Sequence, residues 1–420
     1  MFTALRHLWP PGRRVRRGLR MVALGLLGTQ ALVVMVLTVI DSSRKRLRPR
    51  RATFPRTEAR TLPVGEGTAT IYAEGTSLYA DMLAAIDAAR RRVLFESFIV
   101  KSDDVGQAFK RALTDAAARG VEVFVIYDGF ANLVVPRRFF AFGPGVHVLR
   151  YPIFKPGMLM LDVRSSGRDH RKLLVVDGER GFVGGYNIGA AYASQWRDTH
   201  LRLDGPAVWD LENAFIDFWN LQCRPDQPTL PQQGTEHWEP RLRVHRNVPA
   251  QLIYPIRGMY LETIDRARHH ILLTQPYFIP DREMVAALLA AARRGVTVRV
   301  LMPEVSNHVI ADWLSRGSYG RLLGGGVEIW RYEQAMIHAK TMTVDGRWST
   351  IGTANIDRLS LTGNYEVNVE IFDADVATQL ERVFATDLTN SRQLTLADWR
   401  SRPALARAAE RVLAPLAPLA

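Results

Sequence analysis

Hydrophobic and polar positions change their rhythm several times along this chain. Met21–Ile40 runs without a charge, and only Thr29, Gln30 and Thr38 are clearly polar. A helix of about twenty residues rises about 30 Å, the thickness of a bilayer's hydrocarbon layer. From residue 66 onward, helical stripes alternate with short β-branched runs. Tyr79, Met82, Leu83 and Ile86 form a stripe behind Thr76-Ser77, and Val93–Val100 reads as a strand. A helix around Ala108–Ala118 ends at Arg119-Gly120, with the strand Val121–Ile126 behind it. The same order returns as a helix to Arg268, a strand Ile271–Thr274, a helix over 283–294 closed by Arg294-Gly295, and a strand Val296–Leu301. This alternation predicts an α/β fold of two similar lobes, with mostly parallel or mixed sheets and the site at the lobe interface.

The pattern divides the chain into a basic segment (1–20), a transmembrane anchor (21–40), a basic linker (41–65), a first lobe (66–228), a linker (229–248), a second lobe (249–394) and a tail (395–420). No small-x-small site precedes Asp41, which favours an uncleaved anchor over a cleaved signal peptide. Six basic residues lie in 1–20 and eight in 41–60, which tips the catalytic part to the cytoplasmic side. The linker is expected to lie against anionic headgroups. Two apolar stretches broken by Pro and Gly, Phe139–Gly145 and Tyr151–Leu161, read either as buried connections or as loops lining an acyl-chain path. The tail helix Pro403–Val412 is expected to pack on the domain.

The sharpest signal is a polar template written twice. Asp169-His170-Arg171-Lys172 opens a run ending in Asp177-Gly178, and Ile337-His338-Ala339-Lys340 opens one ending in Asp345-Gly346. At a constant offset of 168, Gly184 matches Gly352, Asn187 matches Asn355, and Asp198 matches Glu366. On a strand, residues i and i+2 share a face, so each histidine projects beside its lysine. Two such strands together give a pocket with two imidazoles and two ammonium groups, an inventory suited to a phosphodiester. The lysines balance the non-bridging oxygens, one histidine attacks phosphorus, and the other protonates the leaving oxygen. The ring nitrogen that does not react needs an acceptor, and Asp198 and Glu366 are the candidates. The candidate catalytic set is therefore His170, Lys172, Asp177, His338, Lys340 and Asp345, supported by Asn187, Asp198, Asn355 and Glu366. Asp177 and Asp345 each precede a glycine at a strand end, where Asp also serves a turn. His200 and Asn368 share the offset and are candidates to face the pocket; His269-His270 opens a strand and carries no expected role. Lysine is a poor metal ligand and no carboxylate cluster accompanies the histidines, so no metal is expected.

These motifs resemble those of the phospholipase D superfamily. Gly184–Ile188, Trp196–His200, Pro276–Pro280, Met336–Lys340 and Asn364–Asn368 look like bacterial cardiolipin synthases, over roughly residues 66 to 415. The resemblance implies a metal-free reaction without cofactor, through a phosphohistidine formed on His170 with His338 as proton donor. It also implies phospholipid substrates, phosphatidylglycerol foremost; the one apolar run, 21–40, makes the chain a single-pass membrane protein. Thr353 stands where many relatives carry Ser, Asn307 where Asp is common, and Ser165-Ser166-Gly167 replaces a more usual Asn-containing approach.

A net charge of +13 on 420 residues draws the chain to anionic partners, nucleic acid or acidic lipid. The lone Cys223 excludes a disulfide framework and a cysteine metal site. A lipid hydrolase would use the same groups as a transferase. A nuclease is the alternative from another substrate class, against which stand the anchor, the apolar loops and the lack of a base-stacking array. Intact motifs weigh against a non-catalytic scaffold. No nucleic acid is expected, and no protein partner is predicted.

Overall fold

Two eight-stranded sheets, one per half of the chain, face each other across a shared apolar core. The computed structural model describes residues 13–47, 53–155, 163–165, 167–232 and 239–419, with 157 and 234 besides. In the first half, β1 (Arg60–Val64), β2 (Gly67–Tyr72), β3 (Arg92–Ser97), β4 (Glu122–Asp128), β5 (Val146–Tyr151), β6 (Lys172–Val176), β7 (Arg180–Gly184) and β9 (His200–Asp204) form a sheet in the order β1-β2-β9-β7-β6-β3-β4-β5. In the second, β10 (Leu242–Asn247), β11 (His270–Thr274), β12 (Thr297–Pro303), β13 (Glu328–Tyr332), β15 (Thr341–Val344), β16 (Trp348–Gly352), β17 (Glu366–Ile371) and β18 (Ser391–Leu394) run β10-β17-β16-β15-β11-β12-β13-β18. A two-stranded ribbon, β8 (Trp196–Arg197) with β14 (Met336–Ile337), crosses between the halves.

The sheets are mixed, and their parallel part is confined to β3-β4-β5 and β11-β12-β13. The catalytic-type strands β6 and β15 instead return at once through hairpins into β7 and β16. The reason lies in the turns. Asp177-Gly178 has φ of 55° and 72°, and Asp345-Gly346 has 54° and 61°. Positive φ at both central positions is the geometry that matches the strand twist of a tight antiparallel hairpin, and Asp-Gly favours it.

Apolar burial explains the layering. The helices Gly75–Ala88 and Asp104–Ala118 cover one face of the first sheet, burying Leu78, Ile86, Phe109 and Leu113. Pro255–Arg266 and Arg282–Arg293 do the same for the second. The opposite faces meet: Leu173, Val183 and Leu201 share one core with Ile351, Val367 and Val369. This fully buried contact welds the lobes together, each large aliphatic side chain contributing roughly 1.5–3 kcal/mol.

The N-terminal helix spans Arg13–Leu47, beyond both ends of the apolar run, and within it Leu24–Ser43 is long and apolar enough to cross a membrane. Its stripe Val33, Val34 and Leu37 packs against Ile279, Leu314 and Leu413, and Gln30 Nε2 donates to the Val412 carbonyl at 3.1 Å. The tail helix Ala404–Leu413 packs there too, on the helix Val309–Gly324. Phe139 and Phe140 are core residues, Phe140 stacked on Tyr127 at 3.8 Å. Of the second apolar stretch, Pro156 and 158–161 lie outside the described residues, as do 1–12 and 48–52 of the basic segments.

Candidate active site

Each histidine stands just before its strand, fixed by a backbone bond to the other half of the chain. His170 N donates to the Tyr365 carbonyl at 3.1 Å, and His338 N donates to the Arg197 carbonyl at 2.6 Å. Tyr365 and Arg197 immediately precede Glu366 and Asp198, and this sets a crossed arrangement. His170 Nδ1 lies 3.0 Å from both carboxylate oxygens of Glu366. His338 Nδ1 lies 2.6 Å from Asp198 Oδ2. Each ring is therefore held by a carboxylate from the opposite repeat, and its Nε2 is left for chemistry.

The lysines project beside the rings. Lys172 Nζ donates to the His170 carbonyl at 2.5 Å, and Lys340 Nζ sits 3.0 Å from His338 Nε2 and 2.9 Å from its Nδ1. Both lysines are buried, and burial lowers Lys172 to about 8 and Lys340 to about 7 against the pull of nearby carboxylates. Burial and the two ammonium groups hold His170 well below the ordinary imidazole value and His338 at about 3. The carboxylates diverge. Burial lifts Glu366 to about 8 against Lys172. Burial works the same way on Asp198, but Lys340 and His338 outweigh it and hold the group at about 2.

Packing fixes the rings. Phe98 meets His170 edge-on at 4.7 Å, Trp196 meets His338 at 5.0 Å, and Tyr277 stands 6.0 Å from His338. Asn307 accepts a 2.5 Å bond from the Tyr277 hydroxyl, so this departure from the usual Asp serves the wall of the pocket. Thr353 Oγ1 donates to Glu366 Oε2 at 2.5 Å, so Thr supplies the hydroxyl expected of Ser. Its counterpart Gly185 has no room for a side chain: a Cβ there would come 2.1 Å from Asp198 Oδ1.

Asp177 and Asp345 sit at the far ends of β6 and β15, about 20 Å along the strand from the histidines at about 3.3 Å per residue. The Asp177 carboxylate accepts from the backbone N–H groups of Arg90, Arg91 and Arg92, and Asp345 from those of Arg268, His269 and His270. That geometry corrects their inclusion among the groups facing substrate: they brace the entry to β3 and β11. Asn187 Oδ1 accepts from Ile99 N and its carbonyl accepts from the Tyr79 hydroxyl, which ties the loop rather than reaching the rings. Asn355 Nδ2 donates to Ser360 Oγ at 3.4 Å. Asn368 Oδ1 accepts from Ala354 N, and His200 is buried in β9 against Gly184. His270 Nε2 lies 2.6 Å from Glu381 Oε1, half-buried.

The motif spacing did not single out a buried clamp behind Asp198. Arg197 donates to both carboxylate oxygens of Asp387, at 2.9 and 2.7 Å, and also to the Asp198 carbonyl. Arg171 is also buried and donates to Glu96 at 2.5 Å and to the Ala214 carbonyl at 2.8 Å while lying over the Phe218 ring. Arg197 was visible as part of the Trp196–His200 stretch; its partner, 190 residues on, was not.

The profile of the family described as "Cardiolipin synthase, PLD-like domain" matches residues 82–219 and 260–388, one stretch for each lobe. The chain belongs to this family. Its similarity extends to the major cardiolipin synthase ClsA of Bacillus subtilis, 32% identical over 367 residues, covering 84% of this chain and 76% of that protein. A cardiolipin synthase of Listeria monocytogenes is 33% identical over 339 residues, covering 77% and 70%. Among solved structures, phosphatidylserine synthase of Haemophilus influenzae superposes with a TM-score of 0.65 at 14% identity, over 88% of this chain and 96% of that one. At that identity the likeness concerns the fold: the two-lobed architecture is that of the phospholipase D-like family. Among the described residues, no group of three or more His, Cys, Asp or Glu side chains is placed to hold a metal ion.

Proposed function

We propose that the chain is a phosphatidyltransferase of cardiolipin synthase type, converting two phosphatidylglycerol molecules into cardiolipin and glycerol. The observation that carries this reading is the crossed pair of His–carboxylate contacts with a buried lysine beside each histidine. A phosphodiester seated between Lys172 and Lys340 has its charge balanced where negative charge grows on phosphorus-bound oxygen. His170 Nε2 attacks phosphorus, the N–P bond forms as the bond to the headgroup glycerol breaks, and Glu366 takes the charge or proton released at Nδ1. The departing alkoxide takes its proton from His338 Nε2, with Lys340 3.0 Å away as the source. In the second half, His338 removes a proton from a hydroxyl of the second phosphatidylglycerol. That oxygen attacks phosphorus, the N–P bond breaks, and His170 is freed. The proton taken up replaces the one given, so the cycle closes without cofactor.

Orientation is the companion proposal: the catalytic lobes face the cytoplasm, by the excess of basic residues after the anchor. Protease protection in intact spheroplasts and loss of protection after lysis test it. The reaction itself is tested on the purified chain in mixed micelles of phosphatidylglycerol, with chelator, by mass spectrometry. Cardiolipin and glycerol, lost in His170→Ala and His338→Ala, are expected. Phosphatidic acid alone makes the chain a hydrolase; DNA cleavage with no lipid product makes it a nuclease.

A further inference from the structure

A cavity of about 920 Å³ lies between the helix Val309–Gly324, the Ile279-Pro280 turn, the helix Arg358–Thr362 and the C-terminal residues 414–417. Its size is that of a site for a substantial ligand. One wall is apolar: Ile279, Trp313, Leu314 and Leu361. Its rim carries Arg282 and Arg321, both exposed, and among the described residues neither is paired with a carboxylate. The cavity's carboxyl groups are already engaged. Asp281 is held by Arg257 at 2.8 Å, Glu410 by Arg316 and Arg402 at 2.8 Å each, and Asp357 accepts from Ser360 N at 2.7 Å. An apolar wall under a basic rim matches a molecule with a hydrocarbon body and an anionic head.

Two further observations give that molecule its route. Trp313, Leu314, Ile279 and Ala417 belong to the apolar cluster on which the anchor helix lays Val33, Val34 and Leu37. The wall of the cavity therefore runs alongside the segment suited to cross the bilayer. On the other side, Ile279 follows closely on Tyr277, which packs against His338. Asp357, which lines the cavity, is close enough to Lys340 and Glu366 to act on their charges.

We propose that this cavity receives an anionic phospholipid from the bilayer and holds it beside the histidine pocket, acyl chains against Trp313 and Leu314 and phosphate at Arg282 and Arg321. This deepens the phosphatidyltransferase reading, on which it rests, by giving a second lipid a place of its own. Gly317 supplies a clean perturbation. It lines the cavity from the middle of a helix, and a Cβ there meets nothing within 4 Å, so the position accepts a side chain, and Trp is the one chosen to occupy the cavity.

The test uses the full chain in nanodiscs, as the His170→Ala variant so that no probe is consumed. Phosphatidylglycerol carrying an acyl diazirine is cross-linked and the labelled peptides are mapped; the matched phosphatidylcholine probe runs in parallel. Labelling is expected within 309–324 and 414–419, several-fold stronger for phosphatidylglycerol. Gly317→Trp should bring it to background while Gly317→Ala leaves it intact, and Arg282→Glu with Arg321→Glu should erase the headgroup preference. Equal labelling of Gly317→Trp and its parent overturns the proposal, as does equal labelling by the two lipids. If the cavity is labelled in the expected pattern but the wild-type chain makes no cardiolipin, the cavity stands and the reaction assigned above falls. Cardiolipin synthesis without such labelling has the reverse meaning.

Discussion

The crossed contacts predict which carboxylate governs attack by His170: Glu366, in the other repeat. Above pH 8, where Glu366 is ionised, Glu366→Gln keeps the side chain's shape and removes its charge from both oxygens 3.0 Å from Nδ1. A hydrogen bond to a charged partner is worth about 1.5–3 kcal/mol. At about 1.4 kcal/mol per decade, the attack step should slow roughly 10- to 150-fold. The assay isolates that step with phosphatidyl-p-nitrophenol, whose leaving group needs no proton, in a His338→Ala background that stalls after the first bond is made. The burst of p-nitrophenol then reports formation of phosphatidyl-His170. Glu366→Gln should slow the burst by the factor above, whereas Asp198→Asn, whose own histidine is already missing, should leave it within about threefold, a difference of under 1 kcal/mol. A burst slowed by Asp198→Asn and indifferent to Glu366→Gln would refute the crossed assignment.

The pH profile should be bell-shaped. Attack needs Glu366 ionised, which sets in as pH rises through its value of about 8, and proton delivery needs the Lys340 proton, lost as pH rises through about 7. Because the required base has the higher value, kcat/KM rises with pH below 7, is flat between the two values and falls above 8; Glu366→Gln should be slower with its acid limb missing. Asp177→Asn and Asp345→Asn should lower the melting temperature, each costing about 1–2 kcal/mol through weakened backbone bonds, with kcat held within about twofold. Asp387→Ala should cost about 3–5 kcal/mol because it strands the buried Arg197 guanidinium, and calorimetry should show it. Its activity well below the melting point should also fall, since Arg197 holds the Asp198 carbonyl.

The doubled motif and the pairing of each histidine with a lysine were legible because they depend on local spacing, two residues along an extended segment. The helices ending at Arg119 and Arg294 were legible for the same reason: each stripe runs into a glycine with positive φ, Gly120 and Gly295. Crossing was not legible. An offset of 168 relates Asp198 to Glu366 equally whether each serves its own histidine or the other's, and only the docking of lobes decides. The extent of antiparallel pairing was present in the Asp-Gly turns, but alternation of helices and strands pointed more strongly to crossovers. The contact of the N-terminal helix with the lobes had no signal, since its stripe of Val33, Val34 and Leu37 lies in a run that is apolar on every side.

The exchange of carboxylates between repeats makes the reaction a gauge of how closely the lobes are seated. Both histidines take their orientation from across the same seam, so a parting of the lobes by less than the length of one hydrogen bond would disconnect both rings together. Neither lobe has to melt for this to happen. Inactivation should therefore precede unfolding on heating or in mild denaturant, as a single loss without a half-active stage. Stabilising either lobe alone would not delay it; tightening the seam between Val183 and Val367 would.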